Sequence, residues 1–193
     1  MIKESQQMIQ SPSAGSGTKS KMDHEILKNL GHYKLFEGLS KEELSLFETL
    51  LKIKEVEEGH LIIREKEEGT FIFLLLEGEV EITQALTLAM EKDGSTEHDT
   101  REKAFTRISH EVFPFIGEMS LFDKSQKRSA TVKALSNCKI ATIENIDLIN
   151  LCDAHSLIGY KVMRNIAGKL NADLRQANQN ILKLTTALNF ILE

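Results

Sequence analysis

The stretch from Phe115 to Val132 reads FIGEMSLFDKSQKRSATV, and its residue types are spaced for holding an anion. Gly117 permits a close backbone approach, and Glu118 to Leu121 can form one helical turn whose leading N–H groups face a negative charge. Arg128 follows a polar loop and offers a planar cationic fork suited to phosphate oxygens. Glu118 is then an acceptor beside an anion site, an arrangement that suits a ligand carrying a hydroxyl donor as well. A sugar phosphate has both groups.

Working outward, the chain carries short β-type runs: Ile53 to Val56, Leu61 to Ile63, Phe71 to Leu76, Val80 to Thr83, a run around Phe105 to Ile108, Ser129 to Ala134, and Lys139 to Ile143. Gly59, Gly69 and Gly78 punctuate them, and such repetition predicts an antiparallel barrel or jelly roll. Between Gln84 and Thr100 the pattern breaks into an apolar run, ALTLAM, and a polar turn cluster, KDGSTEHD, which predicts a long hairpin with a mobile tip. Ahead of the strands, Ser40 is a helix N-cap with Glu43 three residues on. Leu44, Phe47, Leu50 and Leu51 follow at helical spacing, giving a short amphipathic helix.

After Ile143 the pattern becomes helical. Asn145 can cap a segment through Cys152, and Ser156 can cap a second that runs to the chain end without proline. Unbroken, that last helix is roughly 55 Å long at 1.5 Å per residue. Leu174, Ala177, Ile181, Leu184, Leu188 and Ile191 alternate steps of three and four, the heptad signature of a coiled coil, and a helix folded back on its own domain is the other way to bury them. The fold class expected is mainly β with flanking helices (α+β): an antiparallel β-roll or jelly roll with a short N-terminal helix and a long C-terminal one. Residues 1–24 read as a flexible tail, 25–155 as the β-roll domain and 156–193 as a dimerisation helix.

Bulk properties narrow the function. At 193 residues there is room for one well-filled domain, and 41% hydrophobic with 27% charged residues is ordinary for a globular protein. No apolar run approaches the ~20 residues that span a bilayer, and no secretory signal opens the chain. With only Cys138 and Cys152 as cysteines, a cytoplasmic location is expected. A net charge of -5 argues against a protein that coats phosphate backbones. His24, His32, His60, His98, His110 and His155 are scattered without ligand spacing, so no metal site, catalytic residue or cofactor is expected.

The segment from Phe115 to Val132 resembles the phosphate-binding cassette of cyclic nucleotide-binding domains, especially the bacterial catabolite activator type. That pattern is an aromatic or apolar pair, Gly-Glu, a short helix, a variable loop, then Arg, a small residue, Ala and a strand. The resemblance implies that Glu118 accepts from a ribose 2′-hydroxyl and that Arg128 pairs with the cyclic phosphate. It also implies that N–H groups near Met119, Ser120, Ser129 and Ala130 complete the cradle beside Gly117. Carried without a gap to the last helix, the register brings Asp173 and Leu174 to the base, with Lys169 one turn earlier. Upstream, a Gly common before the third strand is replaced in REKEEGT by Lys66 or Glu67, and the segment from Gln84 to Thr106 is longer than the family's norm.

The function expected is a non-catalytic cyclic nucleotide receptor, cAMP favoured over cGMP, that signals to a separate partner protein by ligand-coupled rearrangement of its C-terminal helix. Ser129 is compatible with either nucleotide, and Asp173 could accept from adenine's amino group or from guanine's ring N–H. The regulators of this type place a helix-turn-helix domain after the long helix, and here the sequence ends at Glu193, so no DNA binding is expected. The alternatives are a degenerate fold that binds only protein, or a fragment of a transcription regulator.

Overall fold

The computed structural model describes residues 29–92, 95–122, 125 and 127–192, with side chains for all of these except 85–105 and 192. The expected N-terminal tail at 1–24 and the hairpin tip at 93–94 lie outside the described residues. Helix α1 is Lys41–Glu48, and it opens with the expected capping box: the Ser40 hydroxyl accepts from the Glu43 N–H while the Glu43 carboxylate accepts from the Ser40 N–H. Two 3-10 turns, Leu30–His32 and Lys34–Phe36, precede it.

Among the described residues eight strands follow: β1 (Lys52–Val56), β2 (Leu61–Ile63), β3 (Phe71–Glu77), β4 (Glu79–Lys92), β5 (Ser95–Ser109), β6 (Phe115–Ile116), β7 (Thr131–Ala134) and β8 (Cys138–Glu144). They form two antiparallel four-stranded sheets, in the orders β1-β8-β3-β6 and β2-β7-β4-β5. The fold is the β-roll with flanking helices that the strand pattern implied. β4 and β5 pair along their whole length as one long hairpin.

The run FIFLLL in β3 is apolar at every position because this strand is covered on both faces. Phe73 and Leu75 point between the sheets, where Ile63, Val80, Ile116, Val132 and Ile140 meet them. Ile72 and Leu74 point the other way, into a second core built with Leu30, Leu35, Phe36, Phe47, Leu148, Ile158, Val162 and Ile166. Alternation on a pleated strand thus gives two cores separated by one sheet.

Helix α2 is Asn145–Ala154 and α3 is Ser156–Leu192. Asn145 does not cap α2: the N-cap position falls to Glu144, no side chain bonds there, and Asn145 is drawn inward instead. In α3, Ile158, Val162 and Ile166 are buried on the roll, whereas every residue from Asn171 to Ile191 is exposed. The seam from Leu174 to Ile191 is therefore not folded back on its own domain. Among the described residues no helix is long and apolar enough to cross a membrane.

Candidate functional site

Gly117 takes φ 100°, in the left-handed region, and turns β6 into a 3-10 turn at Glu118–Leu121. This is the single helical turn the sequence implied. By its geometry the first N–H groups of such a turn have no partner within it. Across from it, the chain before β7 places Arg128, Ser129 and Ala130. The two segments face one cavity of about 530 Å³. Its polar wall holds Gly117, Glu118, Met119, Ser120, Arg128, Ser129, Ala130 and Asp173, eight of the nine residues singled out from the sequence. The ninth, Leu174, is 60% exposed and stands outside the lining. The opposite wall is apolar, with Ile63, Ile82, Ile108, Ile116 and Val132, and Gln84 and Thr106 add polar groups at the hairpin side.

Arg128 is buried and held from several sides. Its Nη1 donates to the Gly117 carbonyl and to Ser120 Oγ, each at 3.2 Å, and its Nη2 donates to the Phe71 carbonyl at 2.6 Å. The guanidinium carbon lies 4.7 Å from the centre of the Phe71 ring. A guanidinium carries five N–H donors, so three bonds to protein leave two, which suffice for a bidentate contact with phosphate. Burial pulls its pKa below the ordinary arginine value, against the opposing charge of Glu118. That value starts so high that the group stays cationic.

Glu118 is buried to 3% exposure, and its carboxylate is not left alone. Lys169 Nζ, on α3, donates to Glu118 Oε1 at 2.5 Å and to Asp173 Oδ2 at 2.9 Å. The ammonium also lies 5.5 Å from the centre of the Phe115 ring. Burial on its own would depress the Lys169 pKa, but the charge and hydrogen bonds of Glu118, with those of Asp173, outweigh it and raise the value. One lysine thereby ties the cassette to α3. The spacing of Lys169 and Asp173, four apart, was a readable helix pair. The contact with Glu118, 51 positions away in sequence, was not.

Three further residues, read from the sequence as a turn glycine, a helix cap and the replacement of an expected Gly, also support the site. Gly69 runs so close to Arg128 that a Cβ there would lie 2.6 Å from Nε. Asn145 Nδ2 donates to the Gly69 carbonyl at 2.9 Å and to Ser120 Oγ at 3.3 Å. Lys66 adopts φ 68°, and its N–H donates to the Arg128 carbonyl at 2.9 Å. Of the two positions, Lys66 and Glu67, at which the resemblance led to the expectation of a Gly, the left-handed conformation falls on Lys66.

Comparison with known proteins agrees with this geometry. The profile of the family described as cyclic nucleotide-binding domain matches residues 53–155, more than half of the chain. A Rhodopseudomonas palustris protein whose name marks it as a candidate potassium channel is 28% identical over 140 residues, covering 72% of this chain and 30% of its own length. The chain thus spans under a third of that relative. Among solved structures, a cyclic nucleotide-binding domain from Methylobacillus flagellatus superposes with a TM-score of 0.65 at 24% identity, covering 86% of each chain. The Thermus thermophilus catabolite activator protein superposes with a TM-score of 0.63 at 23% identity, covering 79% of this chain and 63% of its own. At such identities the two structures bear on the fold, and the profile match bears on the family. The chain belongs to the cyclic nucleotide-binding domain family, a regulatory rather than catalytic family.

Proposed function

We propose that this chain is a non-catalytic receptor for a cyclic nucleotide, cAMP in preference to cGMP, and that it signals to a separate partner protein through α3. The observation that carries the reading is the convergence of Glu118 and Arg128 on one cavity of about 530 Å³ with an apolar far wall. A cyclic nucleotide presents an anion, a sugar hydroxyl and a flat base, and each has a counterpart. The two spare donors of Arg128 take phosphate oxygens, with the N–H groups of Met119, Ser129 and Ala130 around them, whereas the Ser120 N–H, expected from the sequence to join them, donates to the Gly117 carbonyl at 3.3 Å. Glu118 accepts from the ribose 2′-hydroxyl. Ile63, Ile82, Ile108 and Val132 cover the base, and Asp173 accepts from its amino group.

The coupling to output runs through Lys169. A ribose hydroxyl that donates to Glu118 shares the carboxylate that now binds Lys169, so ligand alters the tie between cassette and helix. Ligand shifts α3 only to the extent that it binds the two arrangements differently. Pairing of two copies along the exposed seam from Leu174 to Ile191 would let such a shift change how they sit relative to each other. Ser129, exposed beside Met119, leaves room for guanine contacts too, so the preference for cAMP is a matter of degree.

Calorimetry with cAMP, cGMP and a cyclic dinucleotide on one preparation tests the reading. Binding of cAMP, weaker binding of cGMP and little of the dinucleotide are expected. Arg128→Leu should bind cAMP on the order of a thousandfold more weakly, since removing one partner of a desolvated ion pair costs about 3–5 kcal/mol. Undiminished cAMP binding by a folded Arg128→Leu protein refutes the site.

A further inference from the structure

The three consecutive carbonyls that lead into β3 all point at two residues. Gly69 O accepts from Asn145 Nδ2 at 2.9 Å, Thr70 O from the Asn145 backbone N–H at 2.7 Å, and Phe71 O from Arg128 Nη2 at 2.6 Å. On the other side, Ser120 Oγ receives both Asn145 Nδ2, at 3.3 Å, and Arg128 Nη1, at 3.2 Å, while donating to the Gly117 carbonyl at 2.9 Å. The result is a closed hydrogen-bonded ring running Asn145, Gly69, Thr70, Phe71, Arg128, Ser120 and back to Asn145. Ser120 and Asn145 are 3% and 9% exposed, so water does not compete freely for these bonds.

We infer that Asn145 is a positioning residue of the nucleotide site, setting the fork of Arg128 through Ser120 and through the carbonyl track of residues 69–71. The inference rests on the reading of Arg128 as the phosphate ligand. Asn145 occupies the first residue of α2, where its side chain could have reached for helix amides, yet no side chain caps that helix. Its Nδ2 is engaged twice, while its Oδ1 is buried without a partner. A buried acceptor without a partner is a net loss, so what this amide contributes lies in its two N–H bonds, and those bonds fix the Ser120 hydroxyl and the Gly69 carbonyl in direction. Without Asn145, the Ser120 hydroxyl has one donor fewer to fix it, and the Gly69 carbonyl loses the bond that holds it beside Arg128. The fork then samples orientations in which its two spare N–H groups do not meet phosphate together.

The ring also gives the cassette a buried connection to the helices. Asn145 begins α2, and α2 meets α3 at close range, where a Cβ on Gly159 would lie 2.7 Å from the Cys152 carbonyl. This route is separate from the Lys169 tie at the cavity mouth.

Calorimetric titration with cAMP of the full chain, Asn145→Leu, Ser120→Ala, the double variant and Glu118→Ala tests the inference. Leu keeps the branched shape of Asn and removes the unpartnered Oδ1 along with the donors, but it is larger and leaves the Gly69 carbonyl without that donor, so a modest fall in the thermal midpoint of the ligand-free protein is expected and is measured for each variant. Each single variant at Asn145 and Ser120 should bind about tenfold more weakly, the upper scale of one lost hydrogen bond. The double variant should be no weaker than about the worse single one, because both act on the same fork. Combining Asn145→Leu with Glu118→Ala, which acts on the sugar, should instead multiply the losses. A merely structural role would lower the midpoint without producing this split between partners. Wild-type affinity in Asn145→Leu, or independent losses from Asn145→Leu and Ser120→Ala, overturns the inference. If Asn145→Leu does not fold, Ser120→Ala alone decides it, wild-type affinity there again being the refuting result. Failure of the unmodified chain to bind cAMP or cGMP refutes the proposed function instead, so the two failures are distinguishable.

Discussion

Gly69 and Gly117 leave the space in which Arg128 lies. A Cβ on Gly69 would fall 2.6 Å from Arg128 Nε, and one on Gly117 would fall 2.6 Å from Nη1. At Gly117 the backbone is also left-handed, so a side chain there adds about 1–2 kcal/mol of strain to the clash. Gly69 has no such strain, which makes it the cleaner probe. Gly69→Ala should lower the midpoint of thermal unfolding somewhat, because the displaced guanidinium gives up part of its bonding to Gly117, Ser120 and Phe71. It should weaken cAMP binding by about 1.5–3 kcal/mol, the worth of one hydrogen bond to a charged group, as read by calorimetry. Equal affinity would mean that the fork does not depend on the packing at this position. Lys66 illustrates the converse. It holds φ 68° without being Gly, and reciprocal backbone bonds between this turn and Arg128, Lys66 N–H to Arg128 O and Arg128 N–H to Glu67 O, fix it there at 2.9 Å each.

Along α3, three successive ties divide the helix into an anchored part and a projecting part. The Lys161 ammonium donates to both carboxylate oxygens of Glu43 on α1, at 2.8 and 2.7 Å, and Asn165 Nδ2 donates to the Leu35 and Glu37 carbonyls. Lys169 then grips Glu118, and from Asn171 on the helix is exposed throughout. Replacing Lys169 by Met keeps much of the stem's packing and strands the carboxylate of Glu118, whose side chain is 4% exposed. Full burial of both partners would make this loss about 3–5 kcal/mol, but Lys169 keeps 27% exposure, so about 1–3 kcal/mol is expected from urea unfolding at pH 7. The pKa of Lys169 is raised by folding, so its contribution is complete below the unfolded value of about 10.4 and is lost only as pH climbs through the folded value. The difference between wild type and Lys169→Met should therefore be the same at pH 7 and pH 8. A difference that shrinks over that interval contradicts the assignment. The tie at the other end behaves oppositely: the hydrogen bond from Lys161 holds the Glu43 carboxyl below its ordinary value, so the α1–α3 tie persists above the ordinary carboxylate range and weakens in acid.

For the molecule as a whole, the exposed seam is the feature that one chain cannot satisfy. Ile181 and Leu184 are each 61% exposed, Leu188 58% and Ile191 78%, on a helix of 37 residues. Two copies meeting about a twofold axis would cover them, each Leu or Ile contributing at most roughly 1.5–3 kcal/mol. The unmodified protein should sediment as a dimer at micromolar concentration, and a variant with Ile181→Asp and Leu184→Asp as a folded monomer that still binds nucleotide. Sedimentation of the unmodified protein as a monomer rules this assembly out.

The local patterns were legible in the order of residues: the capping box of Ser40 and Glu43, the strand runs, the turn at Glu118–Leu121 and the unbroken last helix all depend on neighbours a few positions apart. The same holds for the motif that brings Glu118 and Arg128 to one cavity, since a short loop separates them. The role of Asn145 is not local for the same reason. A polar residue ahead of a helix suggests a cap, and only the approach of Gly69 and Ser120, 76 and 25 positions away, turns its amide inward. Likewise the partner of Glu118 was decided by the approach of Lys169 on α3 to Phe115 and Glu118. Chain order determines what each segment can become, because hydrogen bonding and side-chain periodicity act over one turn or one strand. Which of these groups share a charge or a hydroxyl is decided by packing, because the cores on either face of β3 place segments that the sequence keeps far apart within a hydrogen bond of one another.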